Sequence, residues 1–214
     1  MYAIPTEKEY IQIKRLIDIL AAHDFGQWKN GEEYWHWTRE YGTQLSENYG
    51  FTFFDGCSKV VAVPCDCPWV IKVDLIPNNG PSWNDNTYCE QEAENWVAAL
   101  NSGMERFFAA TYFLEVVNGV EFFIQERVNC DEEEISSRCY DYCHSDYDEE
   151  NEEDSYDSYW DMDDEDRLFA LFGCGQDTHS LIDFCDELHI NDLHVGNFGE
   201  KANGQAVIID YSGY

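Results

Sequence analysis

The sequence predicts an α+β fold in which helices accompany a small antiparallel sheet. Apolar residues recur with helical spacing near the start of the chain, alternate as in strands from Phe51 onward, and return to helical spacing after Asp166. Hydrophobic periodicity is the primary sequence signal for secondary structure, and helices and strands in separate runs are typical of α+β proteins. The 214 residues suit one domain, or one domain built of two small lobes.

Residues 1–50 are predicted to form an N-terminal helical segment with two helices. The first helix is expected over 6–24, where Thr6 and Glu9 have the spacing of a capping box. The second is expected over 32–48. Its apolar, mainly aromatic stripe consists of Tyr34, Trp35, Trp37, Tyr41 and Leu45. This stripe is interpreted as core packing, and a binding face is the alternative.

Residues 51–128 are predicted to form a small lobe around an antiparallel sheet. Alternating apolar residues and the turn signals Asp55-Gly56 and Asn118-Gly119 predict strands joined by short connections. The expected strands span 51–54, 59–63, 69–73, 112–117 and 120–127, and a helix is expected over 87–100 with a stripe of Cys89, Ala93, Trp96, Val97 and Leu100.

Lys72 lies among apolar neighbours on the third predicted strand. Burying its charge is costly unless the ammonium is paired, so we expect a carboxylate partner from the following helix. Glu92 is the first choice and Glu90 the second, while Glu94 lies further from the apolar stripe. The alternative is an edge strand with Lys72 in water and three solvated glutamates.

Residues 129–166 are predicted to be an acidic insert, because they contain eighteen acids and a single base, Arg138. Like-charge repulsion argues against a compact helix over much of this segment. It is interpreted as a solvated, mobile face. The alternatives are recruitment of a basic partner and autophosphorylation at Ser136, Ser137, Ser155 and Ser158.

Two helices are predicted over 166–173 and 177–189, and in residues 167–214 they are followed by a motif of polar side chains. Asp192 stands five residues before Asn197, and Asp210 ends an apolar run thirteen residues later. Two carboxylates and an amide with a short hairpin between them could converge on a divalent metal and a phosphate. A βαβ fragment with ordinary surface carboxylates is the alternative.

Taken together, these residues resemble the protein-kinase-like fold. That fold has a lysine on a strand of its small lobe, a catalytic-loop Asp followed by an Asn, and a metal-holding Asp after a strand. The D-L-H-V-G-N motif is similar to the corresponding motif of small-molecule kinases of the aminoglycoside and choline type. With the V-I-K-V strand and the short ending, it is closer to the early serine/threonine protein kinases of T-seven-type phages. The resemblance implies a compact two-lobed fold with a small antiparallel sheet lobe, a reduced helical lobe of residues 167–214 and N-terminal helices.

The resemblance implies phosphoryl transfer from ATP with Mg²⁺. Asp192 would orient the acceptor hydroxyl, and Lys72 would hold the α- and β-phosphates while Glu92 sets its position. His194 would contact the γ-phosphate or the acceptor, or would shape the loop. The implied metal-binding residues are Asn197 and Asp210.

The resemblance also places the nucleotide, and the chain departs from the family pattern there. Kinase glycine loops carry several glycines, whereas the first turn contains Gly56 alone, with Ser58 and Lys59 as side-chain contacts. Ile190 occupies the place of the usual H-R-D histidine, and D-Y-S replaces D-F-G. The implied contacts to adenine are the backbone of Glu126 and Val128, with Gln125 as gatekeeper.

The formal net charge of −32 repels nucleic acid and anionic membranes and attracts basic proteins. The implied function is a phage-type Ser/Thr kinase that acts on host proteins in the host cytoplasm. This location is expected because no signal peptide or long apolar run is present. The alternatives are a catalytically weak, kinase-like acidic interaction protein or DNA mimic, and a small-molecule kinase.

Overall fold

The computed structural model describes residues 3–29, 31–56, 58–75, 88–144 and 162–212. The chain is α+β in these residues, with a five-stranded antiparallel sheet and a separate two-stranded sheet, which confirms the predicted class. It divides into two compact units, Met1–Ala98 with Ala110–Arg127 and Ala99–Ala109 with Val128–Tyr214. No helix in the described part of the chain combines the length and the apolar content that a membrane crossing requires.

Helix α1, Glu7–Ala21, begins at the predicted capping box in the first unit. The Thr6 hydroxyl accepts the Glu9 N–H at 3.3 Å, and the Glu9 carboxylate accepts the Thr6 N–H at 2.8 Å. These bonds satisfy two of the N–H groups that a helix start leaves without intrahelical partners. The buried side of α1 consists of Ile13, Ile17, Leu20 and Ala21.

The single helix predicted over 32–48 is interrupted by a π-helical turn. Helix α2 spans Gly31–Trp37, the π turn spans Thr38–Gly42, and helix α3 spans Thr43–Tyr49. The extra residue of the π turn rotates α3 so that its Leu45 is buried, as is Trp37 in α2. The prediction that Trp35 packs in the core is wrong, because it directly follows the buried Tyr34 and is rotated toward solvent, where it is 52% exposed.

The five-stranded sheet belongs to the first unit and has the strand order β1-β2-β3-β5-β4. The predicted Asn118-Gly119 turn joins β4 and β5, and both residues have positive φ angles, of 53° and 82°. Such angles suit the tight hairpin turns that match strand twist. The strands are β1, Phe51–Asp55; β2, Lys59–Pro64; β3, Trp69–Asp74; β4, Thr111–Val117; and β5, Val120–Glu126.

Helix α4, Tyr88–Ser102, connects β3 to β4. Its buried side differs from the predicted apolar stripe, because Glu92 is buried and Val97 is 54% exposed. Glu92 and Trp96 are four residues apart and share a face, so Val97 is turned away from that face. The fully buried residues on α4 are Cys89, Glu92, Trp96 and Ala99.

The second unit contains helices α5, Glu132–His144; α6, Asp164–Phe172; and α7, Gln176–Glu187; and strands β6, Phe198–Glu200, and β7, Ala206–Ile208. Helix α5 forms near the start of the acidic insert, where charge repulsion was expected to oppose a compact helix over much of the segment. Its glutamates lie in the first turn, where the helix dipole favours negative charge, and Asp131 caps that turn. Ile135 and Cys139 are buried. Ser155 and Ser158 lie outside the described residues.

Candidate functional site

Three charged side chains meet in the interior of the first unit. Lys59, Lys72 and Glu92 are 5%, 4% and 0% exposed, respectively. The Lys59 Nζ lies 2.6 Å from Glu92 Oε1, and the Lys72 Nζ lies 2.5 Å from Glu92 Oε2. One carboxylate therefore holds two ammonium groups, each through a different oxygen.

Strand register explains why the two lysines lie together. Lys59 on β2 is opposite Asp74 on β3, and Val61 is opposite Lys72. Residues that are opposite each other, or two apart along a strand, share a sheet face, so both lysines lie on one face as diagonal neighbours. Glu92 contacts both ammonium groups from α4.

The structure brings Lys72 together with Glu92 rather than with either neighbouring glutamate, since Glu90 and Glu94 are exposed. The alternative that placed Lys72 on a solvated edge strand is wrong, because β3 lies between β2 and β5. The pair was predictable from the position of Glu92 beside the apolar stripe of the helix. Lys59 was predicted as a contact near the turn, and its bond to Glu92 was missed.

Asp74 is a further member of this group that sequence reasoning missed. Its carboxylate accepts the Cys89 N–H at 3.0 Å, at the start of α4. Burial raises the pKa of Asp74 to about 6, an effect that the Cys89 N–H and the Lys59 ammonium partly oppose. The available signal was its position two residues after Lys72, which places both side chains on one sheet face.

The β1–β2 turn, predicted to approach phosphate, has one backbone hydrogen bond within it and another to the residue after β3. The Gly56 N–H donates to the Lys59 C=O at 2.9 Å, and the Leu75 N–H donates to the Ser58 C=O at 2.7 Å. A Cβ on Gly56 would approach only the Lys59 carbonyl oxygen, at 3.9 Å, so the described chain does not crowd this position. Phosphate contact by Gly56 and Ser58 stays a prediction.

The residues predicted to surround adenine lie at the end of β5 and just beyond it. Gln125 is buried, and its Nε2 donates to the Thr111 hydroxyl at 2.9 Å. The Glu126 N–H donates to the Ala110 C=O at 2.8 Å. Glu126 belongs to the first unit and Val128 to the second, and their contacts to adenine stay predictions.

The D-L-H-V-G-N loop lies in the second unit, and a side-chain hydrogen bond joins its two ends. The Asn197 Nδ2 donates to the Asp192 C=O at 2.5 Å. Asn197 is 7% exposed, whereas Asp192 is exposed. The bond orients the amide, so that its Oδ1 is the end directed away from the Asp192 carbonyl.

Asp210 is brought to the same loop by the β6–β7 hairpin. Phe198 pairs with Ile208, and one step further the Ile209 N–H donates to the Asn197 C=O at 2.8 Å. Asp210 therefore follows a residue that is bonded to Asn197. Hydrogen bonds thus link Asn197 both to Asp192 and to the residue before Asp210, and these three residues are called the loop cluster below. The βαβ alternative is wrong because β6 and β7 are antiparallel.

His194 shapes the loop through its own ring. Its Nδ1 accepts the Gly196 N–H at 3.1 Å, and the imidazole is exposed. A Cβ on Gly196 would lie 2.9 Å from His194 Cε1, so glycine is what permits this close approach. Contact of His194 with a phosphate or an acceptor stays a prediction.

Tyr211 and Ser212 anchor the segment after Asp210. The buried Tyr211 hydroxyl donates to the Ala109 C=O at 2.6 Å, and its ring packs edge-on against Phe108. The Ser212 hydroxyl donates to Asp210 Oδ1 at 3.3 Å. The sequence did not predict either contact, because Asp210-Tyr211-Ser212 was matched to the D-F-G triplet only by its position.

The loop cluster has a suitable donor set for magnesium. Asn197 Oδ1 and the Asp210 carboxylate are hard oxygen ligands, and Mg²⁺ keeps several waters while sharing substrate phosphate oxygens. Within the described residues, no three His, Cys, Asp or Glu side chains group as a self-contained metal site would require. An ion held by this pair would therefore depend on phosphate and water for its other ligands.

The fold is α+β, with the group of Lys59, Lys72 and Glu92 in the first unit and the loop cluster in the second. No family model matches the chain, and none of the curated proteins matches it. The functional conclusion therefore depends on the residues themselves.

Proposed function

We propose that this chain is a kinase that binds ATP with Mg²⁺ and transfers the γ-phosphoryl group to serine or threonine hydroxyls of proteins. A compact two-lobed, protein-kinase-like fold is part of this proposal. The observation that carries it is the buried ion pair between Lys72 and Glu92, with 2.5 Å between Nζ and Oε2. Protein kinases require this pairing of a lysine on the third strand with a glutamate on the following helix.

The loop cluster supplies the second set of parts. Asp192 is exposed at the head of its loop, where its carboxylate would orient the acceptor hydroxyl and accept its proton. Asn197 and Asp210 would hold magnesium, which neutralises charge on the transferring phosphoryl group when bound. Phosphoryl transfer requires little covalent participation by the protein, so positioning and charge stabilisation account for most of the catalysis.

The choice of acceptor follows from the charge and from the resemblance. A net charge of −32 favours basic protein substrates over nucleic acid, as expected for a phage-type enzyme that acts on host proteins. Self-phosphorylation is also proposed, at the exposed Ser137 and the half-buried Ser136 on α5. The D-L-H-V-G-N motif, which resembles that of small-molecule kinases, favours a small alcohol as the competing acceptor.

The test is transfer of radiolabelled γ-phosphate with and without magnesium, into proteins of a host lysate and into a panel of small alcohols. We expect magnesium-dependent label on protein Ser and Thr. Asp210→Asn and Lys72→Ala should each lower transfer by about 100-fold or more. Glu187→Gln, an exposed change at the end of α7, is the matched control and should leave transfer unchanged.

Three other results would alter the proposal. Label in alcohols alone would identify a small-molecule kinase. Unchanged transfer in Lys72→Ala would remove that lysine from the site. No magnesium-dependent transfer into any acceptor would contradict the kinase activity itself.

A second candidate is an acidic interaction protein with a kinase-like fold. It is favoured by the Gly56 N–H, which closes its own turn at the Lys59 C=O, and by the net charge of −32. Such a protein would bind a basic partner whether or not ATP is present. Magnesium-dependent ATP binding that Asp210→Ala abolishes would contradict this candidate.

A further inference from the structure

A groove lies between helix α4 and the β4–β5 hairpin of the first unit, apart from the residues that the proposed reaction uses. Its cavity volume is about 490 Å³. The described residues that line it come from α4, β4 and β5, so the groove lies within one compact unit. A concave surface of this size can bury side chains of a binding partner.

One side of α4 forms the helical wall of the groove. Glu90, Ala93, Glu94 and Val97 are spaced i, i+3, i+4 and i+7, so they lie along a single stripe beside the buried side of the helix. Val97 is 54% exposed. An apolar side chain that the sequence predicted to be in the core is therefore left on the wall of a groove.

The hairpin forms the opposite wall. Phe113 on β4 pairs with Phe123 on β5, and their ring centroids lie 5.5 Å apart in an edge-on arrangement. Phe123 is buried, whereas Phe113 is 51% exposed. Single exposed apolar residues are ordinary on a protein surface, but exposed apolar side chains on both walls of one groove mark a surface that a partner can cover.

Carboxylates accompany these apolar side chains. Glu121 lies two residues before Phe123 on β5 and therefore shares its sheet face, opposite Glu90 and Glu94 on α4. All three glutamates are exposed. The described lining contains neither Lys nor Arg, and no ion pair among the described residues neutralises these three carboxylates. The groove is thus apolar on its walls and acidic overall.

We propose that this groove docks a basic segment of another protein. Aliphatic or aromatic side chains of the segment fill the groove, and its Lys or Arg side chains lie beside Glu90, Glu94 and Glu121. Burial of apolar surface supplies most of the affinity, because exposed ion pairs are weak, while the glutamates select the sign of the partner's charge. The net charge of −32 disfavours nucleic acid or a second copy of this chain as the occupant.

The first test measures peptide binding by fluorescence anisotropy at physiological ionic strength, where long-range attraction is screened. The probe is a labelled, capped peptide of lysines and arginines with a leucine and a phenylalanine at its centre. We expect saturable binding. A matched peptide of equal charge, with serines in place of the two apolar residues, should bind about ten-fold more weakly or less. A peptide with glutamates in place of the cations should not bind.

The second test uses variants of equal net charge. Val97→Asp should weaken probe binding by about ten-fold or more, since it removes an apolar contact and adds a charge inside the groove. Val116→Asp is the matched control, because Val116 is also 54% exposed but does not belong to the described lining. Its affinity should stay within about two-fold of the wild type.

A further pair of variants keeps the test decisive if Val97→Asp does not fold. Phe113→Ser should weaken probe binding by about ten-fold or more, whereas Phe54→Ser, at a residue 58% exposed on β1, should change it by less than about two-fold. Glu94→Gln/Glu121→Gln should weaken binding by about three-fold or more, and Glu134→Gln/Glu187→Gln, at exposed positions of the second unit, should not.

The contrary outcomes are distinct. No saturable binding of the probe would overturn the proposal, as would equal weakening in Val97→Asp and Val116→Asp, which would show attraction by net charge alone. Self-association of the unaltered protein that Val97→Asp abolishes would place a second copy in the groove instead. Probe binding requires no ATP, so failure of the proposed kinase activity and failure of this inference are observed separately.

Discussion

The buried lysine–glutamate group of the first unit and the loop cluster of the second unit are built in different ways. In the first unit, Lys59, Lys72 and Glu92 are buried and contact one another through side chains. In the second unit, the polar cluster is held mainly through backbone groups, such as the Asp192 and Asn197 carbonyls. The first group is therefore part of what holds its unit together through side chains, whereas backbone hydrogen bonds contribute to the position of the second.

This difference has a consequence for experiments on function. A loss of activity after a change in the first group can reflect unfolding, so stability must be measured beside it. A loss after a change at the exposed Asp192 reports on chemistry more directly. The comparison between the two groups can therefore be tested through stability alone, before any substrate is known.

The largest expected effect is that of Glu92→Gln on the free energy of unfolding. The change leaves two buried ammonium groups beside a neutral amide. Breaking a buried ion pair by removing one partner typically costs about 3–5 kcal/mol. Urea denaturation of the variant and the wild type measures this loss.

Two matched variants sharpen this result. Glu90→Gln on the exposed side of α4, and Asp192→Asn in the second unit, should each change the free energy of unfolding by less than about 0.5 kcal/mol. The apolar triple change Lys59→Met/Glu92→Leu/Lys72→Met should recover much of the loss, since buried ion clusters can be replaced by packed apolar groups. Equal losses in Glu92→Gln and Asp192→Asn would refute the contrast between the groups.

A smaller effect is expected at Asp74, where it depends on pH. Burial raises the pKa of this carboxyl from 3.8 to about 6 in the folded protein. The folded state therefore holds the proton more tightly, and the resulting stability is complete below pH 3.8 and lost as pH rises to about 6. Asp74→Asn stays neutral, so it should be more stable than the wild type by about 3 kcal/mol at pH 7.5 and nearly equal to it near pH 4.

The control for Asp74 is Asp66→Asn, an exposed change in the β2–β3 turn. It should show no such pH-dependent difference in unfolding free energy. If Asp74→Asn were less stable than the wild type at both pH values, its carboxylate would be required as a counter-charge to Lys59. The first group would then consist of four interdependent charges.

Sequence reasoning located the strands and the Lys72–Glu92 pair because each has a local signal. Alternation of apolar residues marks β2 and β3, and a lysine among apolar neighbours demands a partner nearby. The pairing of Lys59 with the same glutamate could not be predicted without strand register, which depends on how β2 and β3 align. Register depends on the hydrophobic patterns of both strands and on the turn between them, so it cannot be obtained from one strand alone.

The errors have a similar origin in tertiary context. Helix α5 forms despite its acidic sequence because its glutamates lie at the helix start and its apolar residues Ile135 and Cys139 are buried by other elements. In the second unit, the hydrogen bonds of Tyr211 and Ser212 depend on where the chain passes after β7, and short irregular segments carry little periodic signal. The motif itself was recognisable, but its supporting contacts were not.

The smallest expected effect is that of Ser212→Ala, which tests whether the backbone alone positions the second group. The Ser212 hydroxyl donates to Asp210 Oδ1 at 3.3 Å, a long hydrogen bond. Its loss should weaken magnesium-dependent ATP binding by about two- to five-fold, with the unfolding free energy changed by less than about 0.5 kcal/mol. Ser180→Ala, which removes a hydroxyl bonded to the Gln176 C=O on α7, should not weaken it. No effect in Ser212→Ala would show that the orientation of Asp210 does not depend on this hydroxyl. Complete loss of binding would show that side chains hold the second group as firmly as the first.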